Sequence, residues 1–146
     1  MTLTVAIAGA GAISEFHLKG WKAQQNVTLA AICDPDPARA RAKAEEFGIP
    51  AVYADTEEML EAVKPDAVDI ITPVGSHAPL VKMAADRGIH VMCQKPMTPT
   101  VSEAEALIAE VGDRVRFMVH ENYRFRPHYA ELARRVAEFA PAMTVV

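Results

Sequence analysis

The fold is decided by the stretch LTVAIAGAGAIS at residues 3–14. Residues 3–8 form a short apolar run with β-branched members, which predicts a buried strand. A turn that contains Gly9 and Gly11 follows, and residues 15–25 have helical character. A strand, a glycine turn and a helix start, in that order, are typical of the first unit of a dinucleotide-binding fold.

Each position of the turn has a physical reason in that interpretation. Gly9 allows the tight turn, and Gly11 lets the backbone approach a pyrophosphate without a Cβ in the way. The N–H groups near Ala12 and Ile13 lack partners within the helix and would point at the bound anion. Ser14 takes the place of the third glycine of the pattern and is small enough to pack against the strand.

The second apolar run, residues 27–33, ends at Asp34, twenty residues after Ser14. An acid at this place holds the hydroxyls of the adenosine ribose and repels a 2′-phosphate. No arginine follows directly, because residues 35–37 are Pro-Asp-Pro. The unit therefore predicts NAD as cofactor rather than NADP. The alternative is a glycine turn that ends a strand for structural reasons alone.

The length, charge and apolar runs of the chain exclude several classes of protein. A length of 146 residues fits one domain with a real core. The net charge of −4 argues against general nucleic-acid binding. No basic residue precedes the first apolar run, and no apolar stretch reaches roughly 18 residues, so neither a signal peptide nor a membrane span is expected. Arginines gather late in the chain, where a solvated helix face is favoured over a phosphate-binding surface.

Cys33 and Cys93 lie near the ends of predicted buried strands and lack metal-ligand spacing. They are interpreted as reduced core residues of a cytoplasmic protein, with a redox or nucleophilic role as the alternative. The five histidines are scattered without the spacing of a metal site, so no metal is expected. His17 is expected to pack within the fold.

Strands and helices alternate along the rest of the chain. Strands are predicted at residues 52–54, 67–71, 90–94 and 115–119. Helices are predicted at residues 37–47, 76–87, 101–111 and 127–139, and a further helix is predicted to begin at residue 56. Thr56 is expected to cap one helix, and Thr100 or Ser102 another. Strict alternation with short links predicts a Rossmann-type, doubly wound parallel sheet with helices on both faces. Residues 142–146 resemble a strand that is cut short, which suggests the cofactor half of a longer protein.

Ligands of such a sheet bind beyond the carboxyl ends of the strands. Besides the glycine turn and Asp34, those ends supply three polar groups. The three are Thr72-Pro73, Gln94-Lys95-Pro96 and the segment at residues 121–124. The sequence therefore predicts that polar residues converge on one edge.

Three further segments carry a resemblance: ITPVGSH at 71–77, GIHVMCQKPM at 88–97 and ENYRFRP at 121–127. Together they resemble the family of glucose-fructose oxidoreductase, inositol dehydrogenase and MocA-like oxidoreductases. The resemblance implies an NAD-binding domain over residues 1–126. Residues 127–146 would then lead into a second α/β domain, absent here, which in the family carries a catalytic histidine and much of the substrate pocket.

The resemblance also implies roles for single residues. Lys95 would be catalytic, close to the nicotinamide and the substrate hydroxyl. The cofactor-binding residues implied are Gly9, Gly11, Ala12, Ile13, Asp34, Thr72, Pro73, His77, Gln94, Lys95, Asn122 and Arg124. For His77, a packing role at a helix start is the favoured alternative to an acid/base role.

Two departures from the family pattern matter for the chemistry. Val74 stands where the family has asparagine, which removes a polar cofactor contact. Gln94 stands where the family has glutamate, and a neutral amide favours the charged form of Lys95 less than a carboxylate does.

The resemblance therefore implies an NAD-dependent oxidoreductase acting on a sugar, polyol or related secondary alcohol, inactive as this isolated piece. A lysine at the rim can hydrogen-bond the hydroxyl and stabilise charge as its proton leaves. The alternatives are an NAD-binding module without catalysis and an enzyme that uses NAD for a non-redox reaction such as glycoside cleavage. A homodimer through an uncovered sheet edge is also expected.

Overall fold

A computed structural model describes residues 2–139 of the chain. The strands are β1 (Leu3–Ala8), β2 (Val27–Cys33), β3 (Ala51–Tyr53), β4 (Ala67–Ile70), β5 (His90–Gln94) and β6 (Phe117–His120). The helices are α1 (Ser14–Lys22), α2 (Pro37–Phe47), α3 (Thr56–Val63), α4 (His77–Asp86), α5 (Val101–Val111) and α6 (Pro127–Phe139). Two short 3₁₀ turns, Val74–Ser76 and Asn122–Phe125, follow β4 and β6.

The six strands form one sheet in the order β3-β2-β1-β4-β5-β6, and every adjacent pair is parallel. This confirms the predicted Rossmann-type, doubly wound sheet. The chain reverses its direction of winding between β1 and β4, which are neighbours in the sheet. The carboxyl ends of these two strands therefore frame the crevice where such folds bind ligands.

Two hydrophobic clusters cover the two faces of the sheet. Ala6 and Ala8 belong to one cluster, whereas Val5 and Ile7 belong to the other. Successive side chains of a strand point to opposite faces, so the buried part of β1, residues 5–8, needs apolar side chains at every position. This requirement explains why its sequence is a continuous apolar run.

The helix boundaries refine the sequence predictions. Asp55, not Thr56, caps α3, because its carboxylate accepts a hydrogen bond from the Glu58 N–H at 3.0 Å. The prediction of Thr56 as the cap was therefore wrong by one residue. Thr100 caps α5 in a reciprocal capping box with Glu103, as one of the two predicted alternatives. Helix α4 begins at His77 because a 3₁₀ turn occupies the preceding residues.

The last predicted strand is shifted along the chain. Residues 115–119 were expected, but β6 comprises Phe117–His120 because its ladder with β5 runs from the pair Val91 and Phe117 to the pair Gln94 and His120. The helix predicted at residues 127–139 is confirmed as α6. The strand expected at residues 142–146 lies outside the described residues. Among residues 2–139, no helix is long and apolar enough to cross a membrane.

Candidate functional site

A cavity of about 710 Å³ opens at the carboxyl ends of β1, β2 and β4. It brings together seven of the predicted cofactor-binding residues. These seven are Gly9, Gly11, Ala12, Ile13, Asp34, Thr72 and Pro73. The topology places them at one site because the three strands end side by side at the crevice.

Gly9 is required by a close approach of two backbone segments. Its φ is +105°, and a Cβ there would lie 2.7 Å from the carbonyl oxygen of Ile71. Its N–H donates to the carbonyl oxygen of Cys33 at 2.8 Å. Gly9 therefore joins the ends of three strands, a packing role beyond the predicted tight turn.

Gly11 has a different environment. Within residues 2–139, a Cβ at Gly11 would meet no heavy atom inside 4 Å. The protein's own packing therefore leaves this backbone open toward the cavity. Open space at this glycine fits the predicted approach of a pyrophosphate group.

The start of α1 also faces this space. Ile13 occupies the N-cap position, and within the described chain it provides no side-chain cap. Ser14 is fully buried, and its hydroxyl donates to the carbonyl oxygen of Gly11 at 2.6 Å. The serine thus closes the turn with its own hydrogen bond. A helix start without a side-chain cap offers N–H donors to an anion.

Asp34 also has a structural role, as a hydrogen-bond acceptor for backbone N–H groups, that the sequence pattern does not reveal. Its Oδ2 accepts from the Ala10 N–H at 2.8 Å, and its Oδ1 accepts from the Asp36 N–H at 2.9 Å. The side chain is mostly buried but lines the cavity. Each carboxylate oxygen can accept a second hydrogen bond, so Asp34 can also receive ribose hydroxyls.

Arg39 is a cavity residue that sequence reasoning missed. Its Nε donates to Asp36 Oδ2 at 2.9 Å, and this hydrogen bond raises the pKa of Arg39 and lowers that of Asp36. Asp36 is also the N-cap of α2. The signal for Arg39 was its place in the first turn of a helix whose start borders the ribose site. Arg39 lies five residues beyond Asp34, so the residues directly after the acid do not reveal it.

The remaining predicted residues lie outside the cavity lining but near the same edge. Lys95 is exposed and follows β5, and its backbone N–H donates to Gln94 Oε1 at 2.7 Å. Asn122 is exposed in the turn after β6, and the backbone of Arg124 belongs to the same turn. Because β5 and β6 are parallel neighbours, their carboxyl ends bring these segments to one side.

His77 is buried, with 1% of its surface exposed. Its Nε2 lies 2.8 Å from the carbonyl oxygen of Thr72, and its Nδ1 lies 2.8 Å from that of Pro96. Both ring nitrogens are engaged within the protein, and the ring is outside the lining of the cavity. The structure therefore gives His77 the packing role that was the favoured alternative, and it ties Thr72 to the segment after Lys95.

A partly buried polar cluster beneath this edge was not predicted as a site. It contains Asp69 of β4, His17 and Trp21 of α1, Gln94 of β5 and His120 of β6. His17 had been assigned to packing, and it is indeed buried. The sequence signal was the single charged residue within the apolar run of β4. Among residues 2–139, no group of three or more side chains has the arrangement of a metal site.

Both cysteines are buried, as expected of core residues, and the two do not form a disulfide with each other. Burial raises the pKa of the Cys93 thiol to about 12 and also raises that of Cys33. Neither thiol is therefore activated as a nucleophile.

Comparison with known proteins agrees with this geometry. The model of the oxidoreductase family with an NAD-binding Rossmann fold matches residues 3–121. D-apiose dehydrogenase of Paraburkholderia graminis is 38% identical over 136 residues, which are 92% of this chain and 36% of that protein. D-xylose 1-dehydrogenase (NADP⁺) 2 of Haloferax volcanii is 42% identical over 118 residues, 80% of this chain and 36% of that protein.

Solved structures give the same result. An oxidoreductase from Agrobacterium radiobacter, crystallised with NAD⁺, L-tartaric acid and magnesium, superposes with a TM-score of 0.86 at 34% identity. The match covers 94% of this chain and 40% of that one. The chain thus spans well under half the length of these relatives. It belongs to the oxidoreductase family with an NAD-binding Rossmann fold, as the resemblance predicted.

Proposed function

We propose that this chain is the cofactor-binding half of an NAD-dependent dehydrogenase that oxidises a sugar, a polyol or a related secondary alcohol. The observation that carries the proposal is the cavity at the crevice between β1 and β4, which combines an open glycine turn, a helix start and a carboxylate. Lys95 lies near the same edge of the sheet and is free to meet a substrate.

The residues present fit a dinucleotide. Gly11, Ala12 and Ile13 would receive the pyrophosphate, Asp34 the adenosine ribose, and Thr72 with Pro73 the middle of the cofactor. The nicotinamide, when bound, accepts a hydride from the alcohol carbon. Lys95 would hydrogen-bond the substrate hydroxyl and stabilise the charge that develops as its proton leaves.

The preference for NAD over NADP rests on two carboxylates. Asp34 lines the ribose end of the cavity, and a 2′-phosphate there would be repelled. Arg39 could attract that phosphate, but its guanidinium is paired with Asp36. The relative from Haloferax volcanii is named for NADP⁺, so the choice within the family depends on such local residues.

Catalysis would require more protein than this chain. It spans 36% of the D-apiose dehydrogenase relative and 40% of the A. radiobacter structure. We propose that the chain alone binds the cofactor without turnover, and that the rest of the enzyme supplies substrate contacts. The homodimer expected through a sheet edge stays a prediction. Light scattering that shows a monomer at all accessible concentrations would exclude it.

The test uses the complete enzyme and the variant Lys95→Met. We expect kcat with a panel of sugars and polyols to fall about 100-fold or more, since one proton-transfer group is lost. Binding of NAD should be kept. Lys22→Met, on the exposed last turn of α1, is the matched control and should behave like the unmodified enzyme. Unchanged turnover in Lys95→Met would contradict the proposal.

A product analysis separates the redox reaction from the alternatives. Oxidation accumulates reduced cofactor in proportion to product. Cleavage of a glycoside without net accumulation of reduced cofactor would favour the non-redox use of NAD. Binding of NAD without any reaction of the complete protein would favour the module.

A further inference from the structure

The polar cluster beneath Lys95 is centred on Asp69, whose exposed fraction is 0%. Its Oδ2 accepts from Trp21 Nε1 at 2.7 Å and lies 2.8 Å from His17 Nδ1. Among the described residues, its Oδ1 has no hydrogen-bond partner. A carboxylate in the middle of a sheet is costly to bury, so these two donors hold both the charge and the orientation of the group.

The hydrogen bonds fix the direction of the Gln94 amide. The Lys95 backbone N–H can only donate, so the side-chain atom 2.7 Å away is the carbonyl oxygen Oε1. The amide nitrogen Nε2 then faces His17 Nε2 at 3.1 Å. Because an amide nitrogen only donates, His17 Nε2 must accept, and the ring hydrogen sits on Nδ1, facing Asp69.

His120 completes the arrangement. Its Nδ1 lies 3.1 Å from the same His17 Nε2, with the two rings edge to face and their centroids 4.4 Å apart. If His17 gained a second proton, Nε2 would donate to His120 and would meet the Gln94 amide donor to donor. These contacts therefore favour a neutral imidazole at His17 as long as residue 94 is glutamine.

The Lys95 segment is held from both sides. Gln94 holds the Lys95 N–H, and His77 contacts the carbonyl oxygen of the next residue, Pro96, at 2.8 Å. The lysine side chain is exposed, whereas its backbone anchors are buried or half-buried. The position of the Lys95 backbone is thus set by Gln94 and His77, neither of which lines the cavity.

We propose that Gln94 is a positioning residue for Lys95, and that Asp69 and His17 fix its amide. This inference rests on the proposed function of Lys95. The glutamine, which stands where the resemblance expects glutamate, makes His17 an acceptor. A glutamate carboxylate at this place could only accept hydrogen bonds, so His17 Nε2 would have to carry hydrogen and donate to it. Its two oxygens are equivalent, whereas the amide of Gln94 presents a donor to His17 and an acceptor to Lys95.

The first readout is the protonation state of His17, measured by nitrogen-15 NMR of its ring in this chain. We expect a single neutral tautomer with hydrogen on Nδ1. In Gln94→Glu, we expect hydrogen on Nε2 as well, because the carboxylate that replaces the amide can only accept. The titratable groups that contact the ring are Asp69 on β4 and His120 on β6. Beyond them, Glu121 acts on His120, and Cys93 lies close to Asp69. A tautomer with hydrogen on Nε2 in the unmodified chain would overturn the proposal.

The second readout is the pH profile of kcat in the complete enzyme. Gln94→Leu removes the oxygen that accepts from the Lys95 N–H, so kcat should fall about tenfold at every pH. Gln94→Glu keeps an acceptor oxygen and should retain more of kcat, but its carboxylate favours the charged ammonium of Lys95 and should move the rise of kcat to higher pH. KM for NAD should stay within about twofold, because Gln94 lies outside the cavity lining. Gln24→Glu makes the same change at an exposed site at the end of α1 and should leave the profile unchanged.

The two proposals fail in different ways. Full activity of Lys95→Met would overturn the function assigned to the lysine. An inactive Lys95→Met together with an unchanged kcat in Gln94→Leu, which lacks the oxygen that accepts from the Lys95 N–H, would leave that function standing and overturn the positioning role of Gln94.

Discussion

The Asp34 carboxylate accepts a hydrogen bond from the Ala10 N–H at 2.8 Å, across 24 residues of sequence. The acid at the end of β2 therefore holds the glycine turn at the end of β1. Its second oxygen holds the N–H of Asp36, just before α2. Asp34, which the pattern assigns to the ribose, therefore also holds the backbone around the ribose site. Its replacement should lower both the stability of the fold and the affinity for the cofactor.

We expect Asp34→Asn to lower the free energy of unfolding by about 1–3 kcal/mol, because one backbone donor would face an amide NH₂ instead of an oxygen. Urea unfolding measures this change. The control is Asp55→Asn, in which one backbone N–H is accepted and asparagine caps a helix equally well. Equal stability of both variants would show that the second hydrogen bond of Asp34 contributes nothing.

Gly9→Ala tests the close approach of β1 to the segment after β4. We expect a loss of roughly 2–4 kcal/mol in the free energy of unfolding, since the added Cβ would lie 2.7 Å from a backbone oxygen at a φ of +105°. Gly20→Ala, on α1 with nothing within 4 Å of its added Cβ among the described residues, should instead gain about 0.5–1 kcal/mol. The account is wrong if the two substitutions have effects of the same sign.

The thiols should be unreactive in the native protein. A pKa of about 12 for Cys93, against an ordinary 9.0, lowers its thiolate fraction about a thousandfold. Reaction with an aromatic disulfide reagent at pH 8 should therefore be slow for both cysteines and become fast in concentrated urea. Rapid labelling of a cysteine in the folded chain would indicate an accessible, activated thiol.

The cluster around His17 should make stability fall in acid. Burial lowers the pKa of His120 below its ordinary 6.5. The unfolded chain then binds more protons in the range between the lowered value and 6.5, so this contribution is complete above pH 6.5 and is lost as pH falls below it.

Urea unfolding of His120→Gln over the same pH range measures that contribution. The variant should lose part of the acid sensitivity, whereas His128→Gln, on the exposed surface of α6, should keep it. An identical pH dependence of the His120→Gln variant and the unmodified chain would contradict the assignment.

The order of elements followed from local patterns. The run at residues 3–8, the two glycines and Asp34 predicted the first unit, and alternation of strands and helices predicted the parallel sheet. These signals are strong because a strand buried on both faces must be apolar throughout, and because a turn with positive φ needs glycine.

The missed features are side-chain hydrogen bonds, some of them between residues far apart in the sequence. No periodic pattern in the sequence reveals these contacts. They are the hydrogen bond from Ala10 to Asp34, the pairing of Arg39 with Asp36, and the contacts of His77 with two carbonyl oxygens. The packing role of His77 was the favoured alternative, but its partners could not be identified. The cap at Asp55 shows a similar limit, since two neighbouring residues of cap-forming type differ only in backbone conformation.

The most direct test is a calorimetric titration of this chain with NAD⁺ and NADP⁺, alongside the Asp34→Asn and Asp55→Asn variants. The account predicts saturable binding of NAD⁺ by the unmodified chain and by Asp55→Asn, weaker binding by Asp34→Asn, and little binding of NADP⁺. Tighter binding of NADP⁺ than of NAD⁺, or equal binding of NAD⁺ by all three proteins, would contradict the cofactor site at the glycine turn.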